Sequence, residues 1–256
     1  MKILAIGDVT SPKGIAYLEE CLWRIRREHK IDLCVVNGEN AAFISGISPE
    51  LAEVLSRAGA DVITGGNHTM SNKATYTALD ERDELLRPIN YGDGAPGRGY
   101  TIVDAAGYRA LVISAMGNVH IEPSLDSPFP FIERVLARET GRYDFAVLDI
   151  HAEATGEKYA VAHAFDGKIS VIFGTHTHVP TADEQILPHG TGYISDIGMC
   201  GESGGILGLD APAIVERMRT HLPIKYRAAS GEVRAEGAIF TLDSAFRCIK
   251  VERICF

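Results

Sequence analysis

The chain carries nine histidines among its 256 residues, and two of them stand one residue apart in "FGTHTHVP", Phe173 to Pro180. Imidazole nitrogens bind transition metals and exchange protons near neutral pH, so a His-x-His pair beside a glycine prompts a search for partners. Residues of matching type recur where apolar runs end. Asp8 follows "ILAIG", Glu39 and Asn40 follow "VVNG", Asn67 and His68 follow "ITGG", and His151 closes "VLDI". Carboxylate and amide oxygens mixed with imidazoles suit Mn, Fe or Zn. The set is larger than one ion needs. Two ions sharing a carboxylate would use it, and metals about 3.5–4 Å apart form a clamp for phosphate ester hydrolysis.

Taken singly, these motifs are weak. Asn-Gly in "NGEN" is a common turn, and the glycines of "GGNH" could serve only close backbone approach. Their weight comes from a shared position. The runs "ILAIG", "DLCVVNG", "DVITGG", "ALVISAMG", "DFAVLDIH", "SVIFGTH" and "GYISDIG" read as buried strands. In open α/β sheets, ligands bind beyond the carboxyl ends of the strands, where the candidate residues fall.

Helical patterns separate several of the strands. "GIAYLEECLWRIRREHK" places Ile15, Leu18, Leu22 and Ile25 on one face. "SPELAEVLSRAG" opens with Ser48 as N-cap and Pro49 in the first turn, and closes on Gly59. "SNKATYTALDERDELL" and "PFPFIERVLARETG" read as further helices, and "DAPAIVERMRTHL" opens on Asp210 as a cap. "YTIVDAAGYRALVIS" reads as a hairpin turning at Ala106-Gly107, and the tail from Arg234 as two more strands. The expected fold class is α/β: a mixed β-sandwich of two packed sheets flanked by helices, one domain over residues 1–256.

Composition narrows the function classes. The formal net charge is −9, from 25 basic and 34 acidic residues, which disfavours a long nucleic acid as partner. The five cysteines form no CxxC pair, so neither a disulfide framework nor a zinc ribbon is expected. The short apolar N-terminus, ended by Asp8, does not read as a signal peptide, and no run is long enough for a membrane span. The expectation is a cytoplasmic protein without a membrane partner. The apolar tail "RCIKVERICF" leaves a homo-oligomer open.

In chain order the motifs are "GDV", "NGEN", "GGNHT", "DIHAE" and "GTHTH". This series resembles the calcineurin-like metallophosphoesterase superfamily over residues 7 to about 178, and "DIGMCG" adds a likeness to its bacterial YmdB-like subgroup. Members of that subgroup are described as 2′,3′-cyclic nucleotide phosphodiesterases. Thr10 stands where the wider superfamily has His, and Glu39 with Asn40 where it has Asp; both changes match the subgroup. The resemblance implies two divalent or trivalent ions, Fe or Mn foremost and Zn as a further candidate. Asp8, Glu39, Asn40 and His178 would hold one; Glu39, Asn67, His151 and His176 would hold the other. His68 would be the proton donor to the leaving group, while a hydroxide bridging the metals attacks phosphorus. The implied substrate is a small phosphodiester.

Competing readings are a phosphomonoesterase or 5′-nucleotidase on the same site, a metal-bound regulatory or scaffold protein with vestigial catalysis, and a mononuclear amidohydrolase. The last fits poorly, because its His-x-His pair comes early in the chain. Asp149 is read as a structural residue facing away from His151. His29, His163, His189 and His221 read as solvated or capping, His120 as a loop residue, and Cys200 as a small buried apolar residue. The glycines of "GRGY" and "GESGGILG" lack the spacing of a dinucleotide fingerprint.

Overall fold

The computed structural model describes residues 1–43 and 46–256. The chain opens with β1 (Lys2–Ile6), β2 (Asp8–Val9), α1 (Pro12–His29), β3 (Leu33–Asn37), α2 (Pro49–Ala58), β4 (Val62–Thr64) and the short α3 (Thr75–Glu81). The hairpin β5 (Tyr100–Ala105) and β6 (Tyr108–Met116) follows, then α4 (Phe129–Arg138), β7 (Phe145–His151), α5 (Thr155–Ala164) and β8 (Val171–Thr175). The last part comprises β9 (Gln185–Ile186), β10 (Gly192–Ile194), β11 (Met199–Glu202), α6 (Ala211–Thr220), β12 (Val233–Leu242) and β13 (Cys248–Cys255).

The strands form two sheets. One runs β2-β11-β12-β1-β3-β4, with β13 on β12; the other runs β5-β6-β7-β8-β10-β9. Both are mixed. β1, β3 and β4 are parallel, as are β6, β7, β8 and β10, while β12, β13, β5 and β9 pair antiparallel.

Alternation along the strands builds the layers. Ile3 and Ala5 of β1, Leu33 and Val35 of β3, and Val62 of β4 meet Val112, Val147, Val171 and Phe173 between the sheets. Leu4, Ile6, Cys34 and Val36 turn outward onto Ile15, Leu18, Leu22 and Ile25 of α1 and Leu55 of α2. On the opposite flank, Leu111, Ile113, Leu148 and Ile150 pack on Ile132 of α4 and Val161 of α5. Burying each such aliphatic side chain contributes roughly 1.5–3 kcal/mol before entropy is subtracted.

The caps behave as the residue types require. Ser11, Ser48 and Asp210 accept the amides of Gly14, Leu51 and Ala213 at the starts of α1, α2 and α6. Gly59 ends α2 in the left-handed region at φ 116°. The hairpin turns with both Ala106 and Gly107 at positive φ, 52° and 86°.

One helix expectation needs correction, and one helix is absent from the sequence reading. The pattern over 71–86 yields only Thr75–Glu81, because Leu85 and Leu86 leave the helix to bridge Ile63 and Arg98. α5 has no counterpart in the sequence reading, since Lys158 occupies its buried face beside Val161 and Ala162 and interrupts any apolar stripe.

Candidate metal centre

The carboxyl ends of β3, β4, β7 and β8 lie along one edge, where both sheets contribute. His151 and Thr175, the last residues of β7 and β8, are register partners, as are Asn37 and Thr64, the last of β3 and β4. Asp149 joins the two pairs. Its Oδ2 accepts from Asn37 Nδ2 at 2.9 Å and from Thr64 Oγ1 at 2.5 Å, and its Oδ1 accepts from Thr175 Oγ1 at 2.8 Å. Asp149 therefore does not face away from His151. Positions i and i+2 of a strand share a face, and both side chains serve this edge. Burial pushes the Asp149 carboxyl up to about 6, and the three hydrogen bonds oppose that rise.

This network selects a tautomer. Thr175 gives its only hydroxyl proton to Asp149, so at the 2.9 Å contact with His151 Nδ1 it accepts. His151 is then protonated at Nδ1, and its Nε2 lone pair faces the gap between the sheets. That nitrogen lies 2.9 Å from Asn67 Oδ1, 3.1 Å from His176 Nδ1 and 3.9 Å from Glu39 Oε1. Gly66 makes the approach feasible, because a Cβ there would sit 2.4 Å from His151 Nε2.

A second group adjoins the first through Glu39. Ligand atoms of Asp8, Glu39 and His178 all lie within 4.8 Å of one another. His178 Nε2 is 3.8 Å from Asp8 Oδ1 and 3.3 Å from Asn40 Nδ2, and Asn40 Nδ2 also donates to Glu39 Oε1. All the candidate residues read from the sequence thus converge on one connected cluster.

The electrostatics of the cluster call for a cation. Asp8 and Glu39 are essentially buried, at 0% and 1% exposure, yet Asp8 Oδ1 and Asn40 Oδ1 have no hydrogen-bond partner. Buried oxygens without donors are costly. Burial, then repulsion by Glu39 and Asp196, holds the Asp8 carboxyl well above its usual range. Glu39 resists the upward push of burial, and hydrogen bonds from the His68 ring and amide help to draw its carboxyl below the usual range. Burial also depresses the basicity of His151 and His176, which keeps both imidazoles neutral. Hard oxygens and neutral nitrogens facing a common gap are a donor set that fits a metal ion.

The histidine loop is strained and braced. His176 and His178 occupy the left-handed region at φ 101° and 62°. Asp8 Oδ2 accepts from the His176 amide at 3.0 Å, and Asp196 Oδ2 accepts from the Thr177 amide at 3.0 Å. Asp196 also binds the fully buried Lys158 Nζ at 2.9 Å, which donates to Thr175 O at 2.8 Å. Leu207 O accepts from His178 Nδ1 at 3.3 Å, leaving Nε2 for the centre. Replacing Lys158 by alanine strands a buried carboxylate, and we expect a loss of about 3–5 kcal/mol in denaturant unfolding. A loss under about 1 kcal/mol, the range of a surface ion pair, would show that the brace is dispensable.

His68 stands beside the cluster. Its amide donates to Glu39 Oε2 at 2.9 Å, and its Nδ1 lies 3.2 Å from Glu39 Oε1. The bond to Glu39 raises its basicity against the effect of burial. His68 borders a cavity of about 500 Å³. Its lining combines polar Glu39, Asn40, His176 and His178 with Leu207, Leu209 and Tyr226.

Sequence reasoning missed Leu207, Leu209 and Tyr226 in this lining, and also Glu153. The glycines of "GESGGILG" match no phosphate-binding spacing, and nothing in that stretch announces that Leu207 seats His178. Glu153 was visible in "DIHAE", yet its role depends on His176, whose Nε2 lies 3.1 Å from Glu153 Oε2. Thr10 lines the cavity and donates to Cys200 O at 3.3 Å. Cys200 is buried as expected. His189 is solvated as expected, and its Nδ1 lies 3.0 Å from Asp166 Oδ2.

Two sheets back to back, with donors converging at the strand ends, define a calcineurin-like metallophosphoesterase, a class whose fold implies divalent metal ions. The same fold is seen in the 5′-nucleotidase precursor from Thermus thermophilus, with a TM-score of 0.59 at 10% identity, covering 100% of this chain and 54% of that one. A family model described as YmdB-like protein matches residues 4–254, and the chain belongs to that family. It is similar to a protein of Bacillus subtilis (strain 168) named 2′,3′-cyclic-nucleotide 2′-phosphodiesterase, with 40% identity over 99% of this chain and 96% of the relative. It is also similar to the crystal structure of a novel phosphatase from Mycoplasma pneumoniae, with a TM-score of 0.90 and 30% identity, covering 100% of this chain and 93% of that one. Among the described residues, no helix is long and apolar enough to cross a membrane.

Proposed function

We propose that this chain is a dinuclear metallophosphodiesterase that hydrolyses small phosphodiesters, 2′,3′-cyclic nucleotides foremost. The observation that carries the reading is the pair of orphaned buried oxygens, Asp8 Oδ1 and Asn40 Oδ1, beside a carboxylate and imidazoles that face the same gap. Asp8, Asn40 and His178 would hold one ion, Asn67, His151 and His176 the other, and Glu39, between the two groups, would serve both. The name of the Bacillus subtilis relative supports the substrate class.

Two divalent or trivalent ions, Fe or Mn foremost and Zn as a further candidate, polarise water and neutralise charge on the phosphoryl oxygens when bound. The chain does the rest. The Asp149–Thr175 pair fixes the His151 ring, and Leu207 O fixes that of His178. His68, engaged with Glu39 through Nδ1, presents its other nitrogen as proton donor to the departing ribose oxygen. The wall of Leu207, Leu209 and Tyr226 gives the nucleoside an apolar surface. In a cyclic phosphate only one P–O bond has to open. Free thiols at all five cysteines support placement in the reducing cytoplasm.

The test is a substrate panel for protein loaded with Mn²⁺ or Fe²⁺: 2′,3′-cyclic AMP, bis-p-nitrophenyl phosphate and p-nitrophenyl phosphate. We expect turnover of both diesters, a slower monoester and close to two metals per chain by elemental analysis. Failure to hydrolyse either diester sinks the reading, and a faster monoester turns it into a phosphomonoesterase.

A further inference from the structure

The cavity beside His68 is lined by carboxylates as well as imidazoles. Among the described residues that line it are two carboxylates, Glu39 and Glu153, and no lysine or arginine. Glu39 is buried at the floor and sits among the metal-type donors. Glu153 is different: its side chain is 50% exposed, and its Oε2 is held 3.1 Å from His176 Nε2. The contact ties a solvated negative charge to His176, one of the proposed metal ligands.

Given the phosphodiesterase reading, on which this inference rests, we propose that Glu153 is a charge filter, favouring singly charged phosphodiesters over doubly charged phosphomonoesters. A diester carries one negative charge. A monoester, with its second ionisation near pH 6, carries almost two at neutral pH. Sites built for the dianion commonly add an arginine fork, and this cavity has none among its described lining residues. Repulsion by one fixed charge scales with the charge of the ligand, so Glu153 weighs on the monoester about twice as heavily.

The same asymmetry falls between substrate and product. Water oxygen joins phosphorus, the ribose oxygen leaves with a proton, and the new monoester then loses its second proton. The extra charge appears only after the ring has opened, so Glu153 destabilises bound product more than bound substrate. It thereby limits inhibition by the monoester.

Glu153→Gln tests this, because an amide oxygen still accepts from His176 Nε2–H while the charge is gone. The probes are adenosine 3′-monophosphate and its methyl ester, which differ by one charge. Both are titrated calorimetrically into metal-loaded protein, in a His68→Ala background that slows turnover, with metals counted per chain. We expect the methyl ester to bind roughly two- to threefold tighter to the Gln variant and the monophosphate roughly four- to ninefold tighter, one factor being the square of the other. At 1 M salt both gains shrink, since screening then acts within about 3 Å. Glu153→Asp, which keeps the charge, retains the parent's selectivity.

Equal factors for the two probes, or no gain for the monophosphate, overturn the filter. So does an Asp variant that follows the Gln variant, which would assign the effect to the seating of His176. The titration does not depend on hydrolysis. A protein that turns over no diester yet shows the squared relation loses the functional reading and keeps the filter.

Discussion

Glu39→Gln is expected to reduce diester hydrolysis by about a thousandfold or more, since transition-state charge stabilisation of several kcal/mol depends on the ions that this residue is proposed to share. Bound metal should fall from about two per chain to one or none. The expectation follows from position. Glu39 Oε1 is 3.9 Å from His151 Nε2 in one group, and its carboxylate lies within 4.8 Å of the Asp8 and His178 ligand atoms in the other. Glutamine keeps the shape, one acceptor oxygen and the capacity to meet the His68 amide. It removes the negative charge, and an amide is a poor bridge between cations. Elemental analysis and steady-state rates on the same preparation check the claim. Two metals per chain with near-parental turnover would break the assignment of Glu39 as the shared carboxylate. Unfolding in excess chelator provides the folding control.

His68→Ala should behave differently. Metal content is expected to stay at two per chain, while kcat for 2′,3′-cyclic AMP drops about 10²- to 10⁴-fold, the range of a positioned general acid. The diagnostic is the leaving group. An alkoxide needs a proton as it departs, whereas p-nitrophenolate leaves as a stable anion, so bis-p-nitrophenyl phosphate should lose much less. The geometry behind this is the bond from His68 to Glu39 and the placement of the ring at the cavity wall. Equal losses on both substrates with intact metal would show that His68 serves in positioning alone. Loss of metal would make it part of the ligand environment.

The contrast between these variants separates the two layers of the site. Glu39 belongs to the buried, charge-dense floor, where a single substitution disturbs both groups. His68 belongs to the wall, 29% exposed in its side chain, and a substitution there is expected to leave the metal donors in place.

How much of this is legible before folding differs residue by residue. Asp8, Glu39, Asn67, His151 and His176 can be found because strand-end positions are readable from short apolar runs, and ligand chemistry restricts the residue types. α1 and α2 are readable because a 3.6-residue stripe and a Ser-Pro start are local properties. α5 is not, because Lys158 on its inner face is explained by Thr175 O and Asp196, 17 and 38 positions away in sequence. For Asp149 the sequence reading chose the wrong face, although alternation alone places it with His151. Its partners Asn37 and Thr64 come from the other sheet, which no local pattern can reveal.

The residue types and their order along the chain determined which chemistry is available here: oxygen and imidazole donors at successive strand ends, suited to a pair of cations and an ester of phosphate. These are local facts, written in the strand and helix periodicities and in side-chain functional groups. Only the tertiary structure decided which atom of each group faces the gap, that Leu207 and Tyr226 wall the cavity, and that Glu153 stands at its rim without an arginine among the described lining residues. Those outcomes depend on contacts between segments far apart in the chain. Their energies are set by burial and by distances of a few ångströms, which no single stretch of sequence contains.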